Sequence, residues 1–139
     1  MMATLVLPEM LRAQLAAEAR AAFPRECCGL IAGEKHGDVA IASALYRARN
    51  LATEQNRFEI DPAEQFHLLR ALRGTGHDII GCYHSHPNGR AEPSPRDLEG
   101  AGEEGFVWLI AALGADAAVG IVAFAYGSGA FAAVNLARA

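Results

Sequence analysis

Residues 79–87 read Ile-Ile-Gly-Cys-Tyr-His-Ser-His-Pro. Residues 79–86 read as a strand, and Pro87, which has no N–H to give to a ladder, ends it. Residues i and i+2 of a strand face the same side. His84 and His86 therefore project together, and Ser85 points to the opposite face. Moving outward toward the C-terminus, a polar loop over 88–93 leads into Ser94-Pro95-Arg96-Asp97, a helix start with a capping serine and a proline at the first helical position. The last third of the chain predicts three strands, near 106–112, 118–126 and 130–136. In the other direction, Asp61-Pro62 opens a helix with Phe66, Leu69 and Leu72 at helical spacing, stopping near Gly74. Residues 58–60 read as a short strand and 47–56 as loop. Residues 27–32 read as a buried strand that turns at 33–37 into a hairpin partner over 39–46. Ahead of these, Leu11, Leu15, Ala19 and Ala22 recur at helical spacing behind Pro8, and Phe23-Pro24 closes that helix. With no repeats or linkers, residues 1–139 predict a single α+β domain with a mixed, mostly antiparallel sheet.

Composition narrows the function classes. The 139 residues are 52% apolar, but 29 of them are Ala. Leu, Ile, Val and Phe together make up about a quarter of the chain, enough for one core. The net charge is −4, and the basic residues are eleven Arg and one Lys, Lys35, scattered without a run. That balance argues against nucleic acid, whose binders draw most of their affinity from neutralised phosphates. The apolar stretch 105–134 is divided by Asp116 and by glycines, and Val122, Phe124 and Tyr126 alternate as in a strand. A strand is expected there, not a membrane span. Trp108 and the Phe124/Tyr126 pair are expected in the core. Cys27, Cys28 and Cys82 form no C-x-x-C pair and are read as packing residues. No basic residue precedes Arg12, so a signal peptide is not expected and a reducing cytoplasm is.

The chemistry lies around residues 84–97. His84 and His86, with Cα atoms roughly 6–7 Å apart on one face, can converge on one zinc ion at bonds of about 2.0–2.1 Å. They can equally be two unrelated histidines at a strand end. Asp97 could return to them from the helix start, and two His plus one carboxylate with an open fourth position is a catalytic zinc pattern. Asp97 could instead serve the helix dipole at an ordinary N-terminus. One carboxylate is not expected to do both in full. Glu26, at the start of the first buried strand, is a candidate base or a charged residue exposed at the strand end. His36, His67 and His77 are expected at the surface. Asn56-Arg57 and Gly89-Arg90 flank the site on loops.

Glu26, His84-Ser85-His86-Pro87, the seven residues 87–93, Ser94, two residues and Asp97 together resemble the JAMM signature of MPN-domain metallopeptidases. Pro24-Arg25-Glu26-Cys27-Cys28-Gly29-Leu30 is similar to the small prokaryotic branch, and the resemblance covers roughly residues 5–135. It implies a cytidine-deaminase-like α+β fold, with a curved sheet flanked by helices. It also implies one Zn²⁺ per chain held by His84, His86 and Asp97. Glu26 would take the proton of the zinc-bound water and pass it to the leaving amine, and Ser94 would help stabilise the oxyanion.

The implied reaction is hydrolysis of a peptide or isopeptide bond at the C-terminal tail of a ubiquitin-like sulfur-carrier protein, with cysteine or a short peptide as one released product. An extended tail would add as a strand beside a free sheet edge. A non-catalytic MPN scaffold is the alternative, and such relatives lose the ligands that this sequence keeps. A zinc nucleoside deaminase would need His-x-Glu with Pro-Cys-x-x-Cys, and a thermolysin-type enzyme His-Glu-x-x-His. Both motifs are absent. The oligomeric state is left open, a homodimer included.

Overall fold

A computed structural model describes residues 2–138. The elements are β1 (Thr4–Val6), α1 (Glu9–Ala22), β2 (Cys28–His36), β3 (Val39–Ala48), α2 (Pro62–Leu72), β4 (Asp78–His86), α3 (Pro95–Gly100), β5 (Val107–Leu113), β6 (Val119–Gly127) and β7 (Ala130–Ala137). The strands join in the order β1-β3-β2-β4-β5-β6-β7, and the sheet closes into a barrel. Neighbours β2–β3, β2–β4, β5–β6 and β6–β7 are antiparallel, whereas β4–β5 is parallel. The predicted mixed, mostly antiparallel sheet is present. Its expected free edge is not: the short β1 runs parallel to both β3 and β7 and bridges them.

Local chemistry explains most boundaries. The Asp61 side chain accepts the Ala63 N–H at 2.9 Å and starts α2 at Pro62. Pro8 stands just before α1, and its carbonyl accepts the N–H groups of Leu11 and Arg12. The β2–β3 turn lies later than predicted. β2 runs on to His36, and the turn falls at Gly37, whose φ of +64° suits glycine. Gly33 sits inside the strand at a β-bulge instead. The predicted strand at 58–60 reduces to a single bridge between Asn50 and Ile60.

Two apolar layers line the sheet. Leu11, Leu15 and Ala19 of α1 pack with Leu5, Ile31, Tyr83 and Leu109. On β6 the residues facing this layer are Val119, Ile121, Ala123 and Ala125, so Phe124 and Tyr126, out of phase with them, face the other side. Phe124 and Tyr126 are therefore only half-buried, which corrects their expected place in the core. They gather around Phe131 on the other face. Trp108 is buried there with Leu30, Leu68, Leu72 and Cys82, beneath α2.

Gly81 lets β5 approach β4. A Cβ at that position would fall well inside contact distance of the Val107 carbonyl oxygen. Gly81→Ala should therefore destabilise the fold by about 2–3 kcal/mol, seen as a fall in Tm of roughly 6–10 °C. An unchanged melt would mean that β4 and β5 are not paired in this register. Among the described residues, no helix is long and apolar enough to cross a membrane.

Candidate metal centre

The end of β4 is held from both sides. His84 stands opposite Cys28 of β2 and Ile110 of β5, and His86 opposite Ala112. Ser85 faces the other way, as its phase predicts, and is buried. Its Oγ accepts the Cys27 N–H at 2.8 Å, and its N–H donates to the Cys27 carbonyl at 3.1 Å. These bonds carry the β2–β4 register past the start of β2, so Glu26 falls next in line beside His86. Glu26 is 6% exposed. Burial, reinforced by Asp97 and opposed by His86, pushes its carboxyl up to about 7.

Asp97 arrives from α3. Ser94 Oγ accepts the Asp97 N–H at 3.0 Å, and Asp97 Oδ2 accepts the Ser94 N–H at 2.8 Å, a reciprocal capping box. The same Oδ2 lies 3.1 Å from His84 Nε2 and 3.2 Å from His86 Nε2. The expectation that Asp97 would cap or approach the histidines, but not do both in full, is thus corrected. A carboxylate oxygen has lone pairs for more than one donor. The box usually carries the longer Glu or Gln at this position. The shorter Asp keeps its oxygen at the helix mouth, where the histidines are.

The three atoms form a triangle, closed by 2.9 Å between the two Nε2 atoms. Three tetrahedral ligands at bonds of about 2.0–2.1 Å stand about 3.3 Å apart, close to these separations. Protons alone satisfy the triangle poorly. If both Nε2 atoms donate to Asp97, they repel each other; if one is bare, its contact with Asp97 is repulsive. A shared cation removes the conflict. His86 Nδ1 lies 2.9 Å from the Arg90 carbonyl, so it carries the ring proton and leaves Nε2 bare, the usual support of a metal-binding histidine. His84 Nδ1 is buried without a hydrogen-bond partner.

For His84 the electrostatics favour a ligand, whereas for His86 without a cation they favour the protonated ring. Burial, outweighing Asp97, lowers His84 below the ordinary histidine range, which favours a neutral ring. For His86 burial works in the same direction, but Asp97 and the Arg90 carbonyl outweigh it and raise the group. Burial opposes ionisation of Asp97, yet the hydrogen bonds with His84 and His86 hold it well below the carboxylate range. The donor set therefore fits a divalent cation, and among the described residues His84, His86 and Asp97 are the cluster able to hold one.

A groove of about 880 Å³ opens beside Asp97. Loop residues 56–60 form one wall, Arg96 and Asp97 the other, and Leu30, Cys82 and Trp108 lie at its base. Asn56 and Arg57 thus border the site, as their loop position suggests. Arg90 contributes its backbone carbonyl, and Ser94 is half-buried at the start of α3. His36 and His67 are exposed and His77 is half-buried, each outside the cluster. Sequence reasoning missed two rings around His84. Phe58 stacks on it with centroids 4.4 Å apart, and Trp108 meets it edge-on at 5.8 Å. No spacing rule marks either residue.

The model of prokaryotic homologs of the JAB domain matches residues 8–125. A desampylase of Haloferax volcanii is 39% identical over 88 residues, covering 63% of this chain and 62% of that protein. A probable TtuB-protein conjugate cleaving protease of Thermus thermophilus is 36% identical over 95 residues, 68% of this chain and 59% of the relative. The matched segments thus span about three fifths of these relatives' own length. The crystal structure of a JAB1/MPN domain protein from Archaeoglobus fulgidus superposes with a TM-score of 0.55 at 21% identity, covering 99% of this chain and 98% of that one, and so shares the fold. A family match over most of the chain leads to one conclusion: this protein is a member of the prokaryotic JAB-domain family.

Proposed function

We propose that this chain is a zinc-dependent isopeptidase that cuts the bond joining the C-terminal tail of a ubiquitin-like protein to its partner. The observation that carries the reading is the buried triangle of His84 Nε2, His86 Nε2 and Asp97 Oδ2, with the Glu26 carboxyl beside it. Zinc held there would lower the pKa of a bound water toward about 7 and polarise the scissile carbonyl. Glu26, raised to about 7, is matched to take a proton at neutral pH and return it to the leaving amine. Ser94 Oγ accepts one hydrogen bond, from Asp97, and keeps its own O–H to donate toward charge developing on the carbonyl oxygen. His86 is oriented by the Arg90 carbonyl, while Phe58 and Trp108 keep water from the His84 ring.

The groove beside Asp97, and not a free sheet edge, is the place for an extended tail. The relatives' names, desampylase and TtuB-conjugate cleaving protease, support a ubiquitin-like substrate. A small sulfur-carrier protein is the partner we favour, with cysteine or a short peptide as one product. The three free thiols, Cys27, Cys28 and Cys82, are buried, which fits a reducing cytoplasm.

The test is a zinc-reconstituted protein incubated with a lysine conjugate of a ubiquitin-like carrier. Cleavage after the carrier's C-terminal residue is expected, with about one zinc per chain and complete loss on chelation. Stoichiometric zinc without cleavage of any such conjugate would refute the isopeptidase reading, and chelator-resistant cleavage would refute the metal.

A further inference from the structure

We infer that Asn50 is a positioning residue that ties one wall of the substrate groove to the segment carrying Glu26; the inference rests on the isopeptidase reading above and deepens it. Asn50 is half-buried and uses all of its hydrogen-bonding capacity. Its Nδ2 donates to the carbonyls of Glu26 at 3.0 Å and Arg57 at 2.9 Å. Its Oδ1 accepts the N–H groups of Ala52 at 2.9 Å and Glu59 at 3.0 Å. A side-chain amide offers two N–H donors and two acceptor lone pairs, so nothing is left over for a substrate. Asn50 is a bracket between Glu26, 24 residues away on one side, and Arg57 and Glu59, 7 and 9 residues away on the other.

A second tie runs alongside. The Arg25 guanidinium donates to the carbonyls of Ala52 and Thr53. Arg25 thus fastens the segment to the first half of the loop, and Asn50 fastens Glu26 itself to the second half. That second half is the part that matters for substrate. Residues 56–60 line the groove, and Phe58 among them stacks on His84. A ligand pressing on this wall displaces the Arg57 carbonyl and the Glu59 N–H, and both end on Asn50. The base and the binding wall are therefore held as one unit, which places the carboxyl of Glu26 relative to a bound tail.

Asn50→Asp separates this role from general support of the loop. The variant has the same shape and keeps both acceptor bonds, but sets a carboxylate oxygen against the Glu26 and Arg57 carbonyls. Zinc content, kcat and KM on the carrier conjugate, and amide hydrogen exchange of the full chain are measured together. Misplacing a catalytic group by about an ångström costs up to about a hundredfold, so kcat should fall about tenfold to a hundredfold at unchanged zinc content. Exchange should rise jointly in 25–27 and 57–59. Val134→Ala, a core truncation on β7, supplies a comparable loss of Tm and should leave kcat within about twofold. If Asn50→Asp fails to fold, Asn50→Ala, which removes all four bonds without adding charge, is measured against the same expectations.

The proposal is overturned if kcat stays within about twofold, if exchange rises in the loop alone, or if Val134→Ala loses kcat equally. A wild-type protein that cuts no conjugate refutes the isopeptidase reading instead. The exchange arm then still decides whether Asn50 couples the two segments, and exchange without a joint rise ends the inference on its own.

Discussion

Asp97→Ala should empty the proposed metal centre and abolish the proposed hydrolysis. The substitution removes one of the three proposed ligands and the negative charge that both imidazoles face. Loss of a supporting-shell partner alone typically costs tenfold to a hundredfold in metal affinity, and loss of a ligand costs more. Zinc should fall well below one per chain, and activity by about a thousandfold or more. The same change strips the Ser94 N–H of its acceptor and should cost about 1 kcal/mol at the start of α3. Asp97→Asn separates the two effects. Its carboxamide oxygen can still accept from Ser94, so the melt should recover most of that loss while zinc binding stays weak. Metal analysis beside thermal denaturation reads both. An Asp97→Ala protein that retains a full zinc complement would reduce Asp97 to a capping residue and remove it from the centre.

Glu26→Gln should keep zinc and lose activity by about a hundredfold to ten-thousandfold, the range of general acid–base contributions. Retained activity would take Glu26 out of the mechanism. The same variant has a stability signature in the metal-free protein. The carboxyl goes from the ordinary 4.5 in the unfolded chain to about 7 in the folded one. Between those values the folded state holds the extra proton, so the contribution of this group is most favourable below pH 4.5 and is lost as pH rises through 7. At about 1.4 kcal/mol per unit, the penalty above pH 7 reaches about 3 kcal/mol. Gln carries no charge to bury. The variant should match wild type near pH 4 and exceed it increasingly toward pH 8. Parallel denaturation curves across that interval would refute the raised pKa. A site that is stabilised by losing its base is one held in a strained state for chemistry.

Much of this molecule is legible in its sequence because the relevant rules are local. Period-two alternation puts His84 and His86 on one face and Ser85 on the other. Asp61-Pro62 and Ser94-Pro95 mark helix starts that the structure reproduces. The misplaced elements fail for non-local reasons. Gly33 looks like a turn but sits in a bulge, close against the Ile41 carbonyl of the neighbouring strand. Residues 58–60 look like a strand, yet Phe58 is stacked on His84 and the backbone there answers to Asn50. Phe124 and Tyr126 alternate as core residues should, but the strand turns Val119, Ile121, Ala123 and Ala125 toward the α1 layer and leaves the two rings on the other, half-buried face.

The sequence by itself marked the candidate residues, the shared face of His84 and His86 and the helix start at Ser94, since side-chain direction along a strand and capping at a helix start depend on neighbours within a few positions. Tertiary structure decided their convergence. The registers of β4 against β2 and β5 bring Glu26 beside His86, and β1 closes the sheet into a barrel. Only folded distances show that one Asp97 oxygen serves both Ser94 and the two histidines, and that Asn50 joins Glu26 to the groove wall. Such sharing depends on differences of a few tenths of an ångström between groups far apart in the chain, which no spacing rule encodes.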